Sequence, residues 1–242
     1  MSFEPIRIGN TVIRRINKSA SLYEITNAAS PHLLKSIDKS YSTAFEATDV
    51  LTMRSYLKRN RHATELYVAL RLVHDLGAQM QALISAGRSI ACMGVDDVVV
   101  ITHRASDKFV HDVINDLDST LGDSHADPQF LFLNDHLMFE VDDDGALIID
   151  HALPVPSKAK AKYAFMSPEL RQKAPAPAPL SVHFKTIYYS AAQLIIYFLL
   201  NAVVDNPDNV VEVLNPIKST KLYWFLLRCL NPVPNQRKYI YL

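Results

Sequence analysis

A chain of 242 residues with 25 basic and 25 acidic side chains has no net field with which to hold nucleic acid or an anionic membrane over its whole surface. Almost half of it is apolar (49%) and a fifth charged (21%), which is globular usage and enough to bury a substantial core in one or two domains. Its two cysteines, Cys92 and Cys229, have no metal-type spacing, and the start MSFEPIRIGN has no apolar leader core, so the expectation is reduced thiols in an intracellular, cytoplasmic protein.

In the first fifty residues, Ile6 to Ile16, Ser21 to Ile25 and Tyr41 to Glu46 are rich in β-branched or aromatic residues and predict strands of a small sheet. Leu51 to Leu57 suggests a short helix. From Ala63 onward Leu66, Ala69, Leu70, Val73, Leu76, Met80, Leu83 and Ile84 recur at three- and four-residue spacing, the pattern of one apolar helix face, with Gly87 as its C-terminal cap. Val98 to Thr102 fits a buried strand, Lys108 to Leu121 an amphipathic helix, and Gly122 to Pro128 a loop. Leu137 to Val141 and Ala146 to Ile149 read as a hairpin closed by Asp142-Asp143-Asp144-Gly145.

The Ala-Pro alternation from Ala174 to Pro179 predicts a stiff extended loop, with an SH3-type ligand as the alternative. Tyr188 to Val204 is mainly apolar, but it is short for a membrane span and contains Ser190, Gln193 and Asn201; a buried central helix is the expectation, and membrane contact is not. Leu222 to Leu230 forms a last helix, broken by Asn231-Pro232-Val233-Pro234. A small β region followed by a mainly helical one with an embedded hairpin is an α+β, two-lobed order. The division falls at 1–50 and 51–242, with an insertion near 102–133.

Three stretches, in order, resemble the protein-kinase family. Ala146 to Leu153 (ALIIDHAL) resembles the strand that runs into the DFG motif. Phe165 to Leu170 (FMSPEL) resembles the APE motif with Ser for Ala. Leu226 to Arg237 (LLRCLNPVPNQR) resembles the late helix and loop that finish in a fixed arginine. Between the last two, YYSAAQLIIYFLL resembles the buried central helix of the kinase C-lobe. The resemblance spans roughly 51–237 and implies a protein kinase-like two-lobed fold with a reduced β N-lobe and a mainly helical C-lobe. It also implies an ion pair between Glu169 and Arg237 that ties the activation segment to the helical core.

Upstream, Leu83 to Ile101 (LISAGRSIACMGVDDVVVI) lies without a gap on the family's stretch through the catalytic loop. The HRD motif then becomes Ile90-Ala91-Cys92, which puts Cys92 at the catalytic base, Gly94 at the following lysine and Asp97 at the metal-binding asparagine. Asp150 falls where the family's magnesium-binding Asp sits, although His151 and Ala152 replace the Phe and Gly. Asp97 and Asp150 lie much further apart than the family's short hairpin allows. Either 102–133 is inserted, or the catalytic-loop slot lies nearer Asn134-Asp135-His136.

Phosphoryl transfer needs a Gly-rich loop over the phosphates, a strand lysine paired with a helix glutamate, a catalytic Asp and two metal ligands. Ile8-Gly9-Asn10-Thr11 is not followed by glycines at G-x-G-x-x-G spacing, and Arg14, Arg15 and Lys18 are wrongly framed for the lysine. A thiol cannot orient a hydroxyl as a carboxylate does, and Cys92 reads as a buried, inert cysteine. For Asp150 the plain reading is a turn cap, and for Lys158, Lys160 and Lys162 a solvated loop. The expectation is a catalytically inactive, pseudokinase-like module without a catalytic residue or cofactor, binding another protein and not nucleic acid. The alternative is an atypical, weakly active Ser/Thr kinase or nucleotide-binding protein holding Mg-ATP through Asp150 and Asp97 or Asp135.

Overall fold

Strands of two to five residues and helices of four to twenty alternate in a mixed α+β fold. The structure, a computed structural model, describes residues 49–60, 66–102, 128–153, 165–174 and 177–240, together with the strands at 6–8, 11–15, 33–34 and 42–46. The expected strand at Ser21 to Ile25, the helix at Lys108 to Leu121 and the three lysines at 158, 160 and 162 lie outside the described residues.

The β-branched run at the start is a hairpin rather than one strand. β1 (Ile6–Ile8) pairs antiparallel with β2 (Thr11–Arg15), and β3 (Leu33–Leu34) and β4 (Ser42–Glu46) complete a sheet ordered β1-β2-β4-β3. β5 (Asp49–Thr52) enters a second sheet. It pairs with β7 (Val98–Thr102), which in turn pairs with β8 (Gln129–Phe132). Val98 to Ile101 is buried on both faces, which explains its unbroken β-branched run. Leu51 and Thr52 therefore belong to a strand, and helix α1 starts two residues later than the sequence suggests, at Met53–Arg59, with Thr52 Oγ1 accepting the Ser55 N–H at 3.1 Å as its cap. Within the expected insertion, Phe130, Leu131 and Phe132 are core residues.

Helix α2 (Leu66–Ser85) packs along β8 and closes at Gly87, whose φ of +70° is the left-handed conformation that ends helices. Its Asp75 and Gln79 take the place of a missing strand. Asp75 Oδ2 accepts the Phe130 N–H at 3.0 Å, Gln79 Nε2 donates to the Phe130 carbonyl at 2.9 Å, and Gln79 Oε1 accepts the Phe132 N–H at 2.8 Å. The outer edge of β8 thus finds partners in helix side chains, which satisfies its backbone and blocks further pairing.

A third sheet runs β11 (Leu180–His183), β10 (Ala146–Ile149), β9 (Met138–Val141), β6 (Arg88–Ile90). The β9–β10 hairpin turns at Gly145 (φ +77°), and Asp142 Oδ1 accepts from the N–H of Asp144 and of Ala146. After α3 (Pro168–Lys173), the apolar stretch becomes α4 (Thr186–Leu200), nearly all of it buried in the core, and ends at Asn201 with φ +48°. Gln193 is satisfied there by Val204, donating to its carbonyl at 2.6 Å and accepting its N–H at 3.0 Å. α5 (Val210–Val213) and α6 (Lys221–Cys229) follow, the latter capped by Thr220 and stopped before Pro232. Among the described residues no helix is long and apolar enough to cross a membrane.

Candidate functional site

Between β6 and β7 the chain makes a tight loop, Ala91 to Asp97, on the flank of α4. One hydroxyl holds it: Ser190 Oγ accepts the Met93 N–H at 2.8 Å and donates to the Met93 carbonyl at 3.3 Å. Polar groups inside a buried, mainly apolar helix need partners, and Ser190 finds its own in this loop. Asp97 closes the other end. Its Oδ2 accepts the Gly94 N–H at 2.7 Å, its Oδ1 accepts from Asn134 Nδ2 at 2.6 Å, and its carbonyl accepts the Leu133 N–H at 2.8 Å. Burial pushes the Asp97 carboxyl up from its ordinary value, against the two hydrogen bonds that favour the charged form and with the Asp96 charge adding to the rise.

The two sequence slots for a catalytic loop, 90–97 and 134–136, therefore meet at the Asp97–Asn134 hydrogen bond. Cys92 is buried within the same loop, and its thiol is pushed up to about 12, by burial first and by the nearby Asp97 charge second. At neutral pH it is a protonated, poorly nucleophilic sulfur.

Asp150 directly follows β10, with its side chain 77% exposed and Oδ1 at 2.7 Å from His151 Nδ1. The His151 ring lies against Phe139, centroids 4.9 Å apart, and its Nε2 is 3.2 Å from the His136 carbonyl. The turn 134–137 is thus the bridge: Asn134 reaches Asp97, and His136 reaches His151 and through it Asp150. Asp135 opens the short 3₁₀ turn Asp135–Leu137. Among the described residues no three His, Cys, Asp or Glu side chains converge as a metal site.

The structure brings Glu169 and Arg237 together as a two-pronged pair. Arg237 Nη1 donates to Glu169 Oε1 at 2.6 Å and Nη2 to Oε2 at 2.9 Å, while Nε donates to the Asn231 carbonyl at 2.8 Å and the guanidinium lies 5.1 Å from the Tyr189 ring. Arg237 is 0% exposed. One side chain thereby joins α3, α4 and the turn after α6. Burial of Glu169 opposes its ionisation, but hydrogen bonds from Arg237, from its own N–H and from Ser167 outweigh it and hold the carboxyl below the usual value. Beneath the pair, the buried hydroxyls of Ser167 and Thr186 hydrogen-bond to each other.

Sequence reasoning missed Ser190 as the anchor of the loop and Asn134 as the partner of Asp97. A signal for the first existed, because a serine in a helix buried all round must hydrogen-bond something. The second had none, since the two residues lie in separate, non-periodic segments. The chain matches no known protein-family model, and comparison with curated proteins likewise finds no match.

Proposed function

We propose that the chain is a catalytically inactive, kinase-like protein that binds another protein through a rigid, mainly helical lobe, with the segment before residue 50 as a reduced β lobe. The observation that carries this reading is a contrast. The Glu169–Arg237 pair, which the resemblance assigns to the scaffold, is fully formed with its arginine buried, whereas the position assigned to the catalytic base holds a buried thiol, Cys92. The present partners of the candidate ligands support the reading without Mg-ATP. Both oxygens of Asp97 already accept from N–H groups of the protein, and Asp150 shares its Oδ1 with His151.

The nucleotide-binding alternative is favoured by one arrangement: Asp97 and Asn134 touch, and Asp150 is open to solvent one contact beyond the same turn. Labelled phosphate transfer from Mg-ATP to the protein itself and to casein decides between them. Incorporation at the level of a protein-free blank is expected. Incorporation that disappears in Asp150→Asn would overturn the inactive reading.

A further inference from the structure

Helix α6 gives one side to the core and leaves the other bare. Leu222, Tyr223, Phe225, Leu226 and Cys229 are buried, while Lys221, Trp224 and Arg228 are exposed at three- and four-residue spacing and so share one face. Trp224 is 59% exposed, its ring standing edge to face against Tyr223 with centroids 5.1 Å apart. A tryptophan held out in water leaves a large apolar area uncovered, and such residues are the usual anchors of protein interfaces. Lys218, in the turn before the helix, is exposed as well. Among the described residues, arginines pair with carboxylates at Arg54–Asp96, Arg71–Asp75 and Arg237–Glu169, and Lys221 and Arg228 with none.

The occupant follows from this chemistry. Nucleic acid is held by many cations at once, and here few stand on a chain of zero net charge. A membrane surface needs a broad apolar face, and this one offers a single ring. A peptide fits in length: Lys221 and Arg228 are two turns apart, about 10 Å along the axis, and an extended chain covers about 10 Å in three residues. We infer that the Lys221–Trp224–Arg228 face is a docking surface for an extended acidic segment of a partner protein, with carboxylates three residues apart on either side of an apolar side chain. The inference rests on the binding-protein reading and names the partner's chemistry. The phosphate-transfer assay tests that reading separately, so a failure of the one is distinguishable from a failure of the other.

Trp224 is the single tryptophan of the chain, so its emission reports on this face alone. The experiment titrates the protein with a short synthetic peptide carrying Glu-Phe-Ser-Glu, beside a Gln-for-Glu counterpart, oligothymidylate and phosphatidylserine vesicles. A saturable blue shift with the acidic peptide is expected, weakened about tenfold or more in Lys221→Glu/Arg228→Glu and reduced by salt. Both substitutions are on the surface, and circular dichroism verifies that the variant is folded. The inference is overturned by no shift at millimolar peptide, or by an equal response to the Gln peptide or in the double variant. It is equally overturned by a response confined to oligothymidylate or vesicles, or by a shift on concentrating the protein alone, which would assign the face to a second copy and its exposed Asp142–Asp144 turn.

Discussion

Removing one half of the Glu169–Arg237 pair tests the energetic core of this account. In Glu169→Ala, Arg237, 0% exposed in the intact pair, keeps the Asn231 carbonyl and the Tyr189 ring but loses both carboxylate hydrogen bonds. Breaking a buried pair from one side costs about 3–5 kcal/mol, because the other charge is left uncompensated. The Glu169 side chain is 20% exposed, so water can reach part of the vacated space, and the lower end, about 3 kcal/mol, is expected. For a chain of this size that is a fall in Tm of about 6–12 °C. Urea denaturation at pH 7 and a thermal scan measure it. Replacing both partners, Glu169→Leu with Arg237→Met, removes the stranded charge and should cost less than the sum of the single variants. A single-variant loss below about 1 kcal/mol, or strict additivity in the double variant, would refute the reasoning. The acid response has a definite sign. The folded Glu169 carboxyl lies below its unfolded value, so the contribution of the pair is complete above about pH 4.3 and is lost as pH falls through the folded value. The stability gap between wild type and Glu169→Gln should close in acid and stay constant toward alkaline pH.

Gln79→Ala leaves the Phe130 carbonyl and the Phe132 N–H without their partners and should cost about 2–3 kcal/mol, with faster amide exchange at Phe132; unchanged exchange there would contradict the edge-capping role. Ser190→Ala should free the 91–97 loop and speed exchange of the Met93 amide, at about 1–2 kcal/mol. Cys92 and Cys229 are both buried, with thiols pushed up by burial, so iodoacetamide at pH 8 should label the native protein about a hundredfold slower than the urea-unfolded chain; rapid native labelling of Cys92 would undo the inert-thiol assignment.

Long elements were legible in the sequence because each carries its signal locally. α2 shows a helical period, α4 is mainly apolar over its length, α6 is followed by two prolines, and the Asp142–Gly145 turn announces the β9–β10 hairpin. The short strands β6, β8 and β11 were not, since three or four residues become a strand only through partners far along the chain, and strand preference depends on that context. Leu51 shows the same effect: its pairing with Val100 overrides a helical local pattern. Tertiary packing keeps most of the expected α2 face, burying Ala69, Val73, Leu76, Met80 and Leu83, but leaves Leu66 exposed and adds Val68 and Leu72 to the core. At the site, Glu169 and Arg237 could be anticipated only from the resemblance, being distant in sequence, whereas the burial of Cys92 follows from its apolar neighbours. The Asp97–Asn134 contact exists only once β7 and β8 are paired.

Thermal unfolding with and without millimolar Mg-ATP, in the wild type and in Asp150→Asn, separates a lobe that binds no nucleotide from one that does. A nucleotide present at 100 times its dissociation constant would stabilise the native state by about 2.7 kcal/mol, a rise in Tm of about 5–11 °C for a chain of this length. The same Tm is expected with and without Mg-ATP in each protein. A rise in the wild type that vanishes in Asp150→Asn would contradict it and assign the 91–97 and 134–136 loops to a nucleotide site.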